Sequence, residues 1–123
     1  MDEIAFSFTA QPGWLRVDAT GAADQGAIAR ALLRLFAEVR GLGARRLLVD
    51  LRGVSGDLTN LERYEIGVAA AEGLRDLERL AVVSAPGIVV NRHFEDVVNN
   101  RGLKARVFTH EEAAAAEEWL SMP

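Results

Sequence analysis

The 123-residue chain is the length of one domain, and half of its residues are apolar, enough to build a core of its own. A net charge of −4 argues against a nucleic-acid binder, which needs a basic patch to displace counterions from phosphates; the thirteen Arg and the single Lys, Lys104, are scattered, and Arg45-Arg46 merely flanks a strand-like run. With no cysteine, disulfides, thiolate metal sites and cysteine nucleophiles are excluded.

The chain opens on the acidic Met1-Asp2-Glu3, not on the basic start and apolar run of a secretory signal, and no stretch approaches the length of a membrane span. A cytoplasmic protein, not a transmembrane one, is expected. Ile4 to Thr9 alternates large and small residues with period two, the pattern of a half-buried strand. Gln11-Pro12-Gly13 is a turn, and Trp14 to Ala19 alternates again with Leu15, Val17 and Ala19 on one face, so the two segments form an antiparallel hairpin.

A helix capped by Asp24 runs to about Arg40, with Ile28, Leu32, Leu35, Phe36 and Val39 at helical spacing. Arg34 and Glu38, four apart, are spaced to pair on the opposite side, and Gly41 and Gly43 end the helix. Gly41-Leu42-Gly43 is not a dinucleotide fingerprint, because it follows a helix and precedes a strand, the reverse of what a pyrophosphate site needs.

Leu47 to Leu51 is almost continuously apolar, as a central strand is. Asp50 at its end reads as a loop-anchoring hydrogen-bond acceptor rather than a catalytic acid. The following Gly53-Val54-Ser55-Gly56-Asp57 lies between strand and helix, where open α/β sheets place their ligands. It has neither the Lys-Ser/Thr of a nucleotide-hydrolase loop nor a completed nucleophile elbow. Two readings remain open for it: a turn whose Asp57 or Thr59 caps a helix, or a binding or switch loop.

Thr59-Asn60-Leu61-Glu62 is a capping box, and its helix runs to about Gly73. Leu80 to Ser84 is a second buried strand. Pro86 suits the first turn of a helix reaching Arg101 and Gly102, with Val90, Phe94, Val97 and Val98 inward. Arg106 to Phe108 is a short strand. Thr109-His110-Glu111-Glu112 is another capping box, opening a helix with Ala113, Ala116 and Leu120 on one side. Trp119 and Leu120 read as docking that helix onto the sheet, in preference to anchoring it in a membrane or partner.

His93 and His110 sit on different elements and lack metal-binding spacing, so both read as exposed structural residues, and neither a metal nor a cofactor is expected. The order β-β-α-β-α-β-α-β-α describes a single α/β domain over 1–123. Its mixed, mostly parallel sheet has about five strands and four helices, with the first strand antiparallel at an edge and the outer face only partly covered. Leu32, Phe36, Leu48, Val49, Val82 and Val83 are the expected core.

Leu48-Val49-Asp50-Leu51-Arg52-Gly53-Val54-Ser55 resembles the strand and following loop of STAS domains, the group that contains the bacterial anti-sigma-factor antagonists. Arg106 to Ala113, ending in Glu118-Trp119-Leu120, resembles the C-terminal strand and helix of the SpoIIAA-like branch, which is grouped with the CRAL-TRIO lipid-transfer fold. The resemblance implies a non-enzymatic regulatory module that docks a protein partner through the loop from Arg52 to Asn60 and the helix after it, with contacts between Arg52 and Tyr64 and with Arg52, Ser55, Asp57, Thr59 and Asn60 as binding residues. Its alternative is a small-molecule or lipid-binding domain of the same fold, with a small anionic or apolar ligand; self-association into a homo-oligomer is open to either. Antagonist STAS domains carry Asp-Ser-Ser-Gly, with a phosphorylated serine, at the start of the helix after the central strand. Here the stretch reads Gly56-Asp57-Leu58-Thr59-Asn60-Leu61, and Thr59 falls nearest the phosphorylated position.

Overall fold

The computed structural model describes residues 4–22, 26–56, 58–85 and 92–123. The expectations placed on Asp24, Asp57, Pro86 and Val90, and on the side chains of Ile28 and His93, lie outside the described residues. The elements run β1 (Ala5–Gln11), β2 (Trp14–Ala22), α1 (Ala27–Leu42), β3 (Arg46–Ser55), α2 (Asn60–Gly73), β4 (Arg79–Val83), α3 (Arg92–Asn100), β5 (Ala105–Phe108), a 3₁₀ turn (His110–Glu112) and α4 (Ala113–Ser121). The strands form one sheet in the order β1-β2-β3-β4-β5, with β1 antiparallel to β2 and every later pair parallel. This is the mixed α/β sheet expected from the alternation of strands and helices.

The period-two pattern decides what each strand buries. Val17 and Ala19 of β2, Leu47, Val49 and Leu51 of β3, and Leu80 and Val82 of β4 share one core with Leu32, Leu35 and Phe36 of α1, Ile66 of α2 and Phe94 and Val98 of α3. The other sheet face supplies Leu48, Ala81, Val83 and Phe108 to a smaller core closed by Ala116, Trp119 and Leu120 of α4. All six residues expected in the core are buried. Trp119 docks α4 on the sheet, its ring centroid 6.1 Å from that of Phe108. Two strand-opening arginines donate to carbonyls of the last turn of α4, where the helix has few amides left to offer. Arg46 donates to the Leu120 carbonyl at 2.7 Å, and Arg79 to the Trp119 carbonyl at 2.8 Å.

Several boundaries differ from the sequence reading. Gly41 lies inside α1, and Gly43 alone is the left-handed cap, its φ of 69° donating its amide to the Arg40 carbonyl. Ile4 is buried ahead of β1, while most of β1 is exposed, because helices cover β1 less than the inner strands. The last capping box opens a 3₁₀ turn before α4, with Glu112 accepting from the Thr109 amide at 2.9 Å. The largest difference is in β3, which continues through Arg52, Gly53, Val54 and Ser55 instead of ending at Leu51. Those residues pair with β2 as Thr20↔Gly53, Gly21↔Val54 and Ala22↔Ser55, across a register shift that takes up one extra residue of β3, a β-bulge.

Gly53 makes that close approach: a Cβ there would lie 2.8 Å from the Ala19 carbonyl oxygen and 2.9 Å from Thr20 Cγ2. The Ala19 oxygen belongs to a paired strand and cannot yield without disturbing the ladder. Gly53→Ala is therefore expected to destabilise by about 1–3 kcal/mol. Urea denaturation checks this; an unchanged midpoint would show that β2 and β3 can part there at no cost.

Candidate functional site

Each parallel strand ends at the same edge of the sheet, and the connection from β3 to α2 emerges there. Leu58, buried at the head of the connection, pins it to the core, so that Thr59 starts α2 in a fixed position. Thr59 is the N-cap: its Oγ1 accepts from the Glu62 amide at 3.1 Å, and Glu62 Oε1 accepts from the Thr59 amide at 2.9 Å. This is the reciprocal capping box expected from the sequence, and it closes two otherwise open donors of the first turn. Asn60 follows, exposed, its Oδ1 accepting from Arg63 at 3.0 Å. Ser55 ends β3 on the surface, its hydroxyl 3.5 Å from the Gly21 carbonyl.

Beyond Asn60, α2 turns two large apolar side chains to solvent. Leu61 is 65% exposed and Tyr64 43% exposed, three residues apart and so on neighbouring positions of one helix face. The Arg101 guanidinium lies 5.8 Å from the centroid of the Tyr64 ring, adding a cation to the rim. The opposite side of α2 is narrow, with Ile66, Gly67, Ala70 and Ala71 buried. A Cβ on Gly67 would come within 3.0 Å of Val97 Cγ1, so α2 and α3 pack closely beneath the exposed face.

Arg52 is not part of this surface. It lies within β3, not in a loop, and its side chain turns to the sheet face that carries α4. There its Nε and Nη2 donate to Asp50, the latter at 2.6 Å, and its own amide adds a third donor at 3.0 Å. Arg52, expected among the loop's binding residues, stands instead in β3 with its guanidinium held by Asp50. Asp50, 3% exposed, also accepts from Arg16 Nη2 at 2.7 Å, and Arg16 reaches on to Asp18 at 3.1 Å and to Glu117 of α4 at 3.2 Å. Burial pushes the Asp50 carboxyl up, but the Arg52 side-chain and backbone hydrogen bonds and the two guanidinium charges outweigh it and hold it below the ordinary carboxylate range. Asp50 is thus the hydrogen-bond acceptor expected, but it stands inside β3 and holds Arg52 of its own strand and Arg16 of β2, not a loop. Charges at alternate positions of two adjacent strands, Arg16 and Asp18 beside Asp50 and Arg52, are the signature of this network in sequence.

Structure therefore brings Ser55, Thr59 and Asn60 to one end of the sheet and sends Arg52 elsewhere, while Asp57 lies outside the described residues. Leu61 and Tyr64 lie within the stretch where contacts are expected, but the sequence singles out neither side chain there; their exposure is set by how α2 packs. His110 is partly exposed, 3.6 Å from Glu111. Among the described residues no group of three or more His, Asp and Glu side chains is placed to hold a metal ion, and no helix is long and apolar enough to cross a membrane.

A family model described as SpoIIAA-like matches residues 14–121 of the chain. No curated protein matches it in sequence. Among solved structures, it is similar to an anti-sigma factor antagonist from Mycobacterium paratuberculosis, with a TM-score of 0.55 and 18% identity over 94% of this chain and 95% of that one. It is also similar to an uncharacterized protein of the DUF3478 family with a SpoIIAA-like fold from Shewanella loihica PV-4, with a TM-score of 0.52 and 15% identity over 98% of this chain and 95% of that one. At these identities the likeness is one of fold.

Proposed function

The chain belongs to the SpoIIAA-like family, and from that premise we propose that it is a non-enzymatic regulatory module that docks a protein partner through the surface from Ser55 to Tyr64. The observation that carries this reading is the exposure of Leu61 and Tyr64 immediately beside the Thr59 cap. Their exposed apolar area gains little in the isolated fold, and a Tyr with an Arg at its rim is the composition of an interface anchor. Ser55, Thr59 and Asn60 supply hydroxyls and an amide next to them. The anti-sigma factor antagonist among the similar structures is a protein whose described role is to act on another protein.

The main core itself is well filled. The cavity enclosed between the sheet, α1, α2 and α3, among the described residues, is about 20 Å³, lined by Leu32, Phe36, Leu51 and Phe94 among others. That is room for roughly one water and not for a lipid chain or a metabolite.

Thr59 is the switch position in this reading. Phosphate there would sit at the positive end of α2, where the fold tolerates it, so the added charge would act on the partner and not on folding. The test is a series at one position, with the partner captured from the native host and identified by mass spectrometry. Thr59→Ser and Thr59→Asp retain a good cap, whereas Thr59→Ala loses about 1 kcal/mol of capping. Thr59→Asp is expected to abolish partner binding at unchanged stability while Thr59→Ser binds normally. Binding that merely tracks stability across the series would reduce Thr59 to a cap. Contacts that map to the opposite end of the sheet, around Arg40, Gly43 and Leu77, would overturn the placement.

A further inference from the structure

The two edges of the sheet are treated differently. At β5 the outward backbone groups are closed by α3 side chains: Asn99 takes both the Ala105 amide, at 2.8 Å, and the Ala105 carbonyl, at 3.1 Å, and Glu95 accepts from the Val107 amide at 2.9 Å. At β1, among the described residues, no strand pairs with the outer side. The two-residue turn makes Gln11↔Trp14 a hydrogen-bonded pair. By alternation Ala5, Ser7 and Thr9 then spend their backbone groups on β2, and Phe6, Phe8 and Ala10 turn theirs outward. Proteins blunt such edges with Lys, Pro or a bulge. Ala5-Phe6-Ser7-Phe8-Thr9-Ala10-Gln11 has no charge and no Pro, and pairs with β2 in unbroken register.

Beside this edge runs an open groove of about 300 Å³ between β1 and α1, lined by Ile4, Phe6, Phe8, Arg34, Leu35 and Glu38. Phe8 is 37% exposed at its centre. Arg34 and Glu38 lie one helical turn apart and, contrary to their spacing, form no ion pair among the described residues.

We infer that β1 is a self-association edge, on which a second copy of this chain adds its own β1 antiparallel, about a twofold axis at Phe8. This register uses every outward group, with Phe8 opposite Phe8 and Phe6 opposite Ala10 of the second copy. The same axis reverses α1, so that Arg34 of one copy faces Glu38 of the other, and the reciprocal contact follows by symmetry. An edge without charge, flanked by one cation and one anion in an order that a twofold axis makes complementary, fits its own copy better than an arbitrary strand. The surface is separate from Ser55 to Tyr64, so a dimer keeps both docking faces open.

Sedimentation equilibrium of the full chain tests this. The wild type is expected to dimerise with a Kd in the micromolar range, and Phe8→Lys to weaken it at least about tenfold with the monomer still folded at the temperature of the measurement, as its circular dichroism would show. Arg34→Glu alone and Glu38→Arg alone should each weaken the dimer, and the two together should restore it; both residues are exposed, so folding is not at stake. Deuterium exchange of the Phe6, Phe8 and Ala10 amides should slow as concentration rises. A chain that stays monomeric up to about 1 mM, or a dimer indifferent to Phe8→Lys, overturns the proposal. So would a monomer whose β1 takes up a foreign extended peptide, which would assign the edge to a different partner.

Discussion

Phe36→Ala is expected to lower the unfolding free energy by about 3–5 kcal/mol, a large part of what a domain of this size has. Phe36 points from α1 into the main core, 5% exposed, against the sheet and against α2, where a Cβ on Gly73 would already be 3.4 Å from its own Cβ. Truncation removes both its transfer free energy and its contacts. The void left behind would join the cavity that Phe36 now helps to line with Val49, Leu51, Val82 and Phe94. Those neighbours stand on a paired strand or a packed helix, and the cost of a large-to-small change grows with the volume that cannot collapse. In thermal unfolding the loss reads as a drop of roughly 10–20 °C. Phe36→Leu, which keeps most of the volume, should fall much less. A shift of only a degree or two for Phe36→Ala would place the ring outside the core.

Phe36 was legible because its position repeats every third and fourth residue with other apolar side chains, and a helix on a sheet has one way to bury such a stripe. The same holds for the Thr59 cap, whose Thr and Glu three residues apart do local chemistry whatever the rest of the chain does. Local signals failed where a neighbour in space decides. The apolar run of β3 ends at Leu51, and nothing in Arg52-Gly53-Val54-Ser55 announces that β2 continues beside it past a bulge. Gly53 looked like a turn glycine, and it is one that a neighbouring carbonyl requires to have no side chain. Leu61 and Tyr64 carry the proposed function because they are exposed, and exposure belongs to the packing of α2, not to the residues. Asp50 shows the mixed case: its place at a strand end pointed to an acceptor, but its two arginines come from β2 and from two residues further along β3.

Asp50→Ala is expected to cost about 3–5 kcal/mol, because it removes the common acceptor of two guanidinium groups and leaves Arg16, on the partly buried side, without its shortest partner. Asp50→Asn is the sharper variant. It preserves shape and one acceptor oxygen but removes the charge, so whatever it loses is electrostatic. The pH dependence follows from the direction of the Asp50 shift. Its carboxyl titrates lower in the folded protein than in the unfolded chain, so its contribution is fully present above the ordinary carboxylate pKa of about 4. That contribution fades as pH falls through the depressed folded value. Urea midpoints measured from neutral pH into the acid range should therefore fall more steeply for the wild type than for Asp50→Asn, and the two curves should converge in acid. Parallel curves would show that Asp50 is not the group being titrated. The network also bears on the proposed docking surface. Asp50 and Arg52 fix the far stretch of β3, whose end at Ser55 leads through buried Leu58 to the Thr59 cap. Partner binding by Asp50→Asn is accordingly expected to weaken beyond what its folded fraction explains, although residue 50 touches no part of the Ser55 to Tyr64 surface; binding that scales with the folded fraction alone would confine Asp50 to stability.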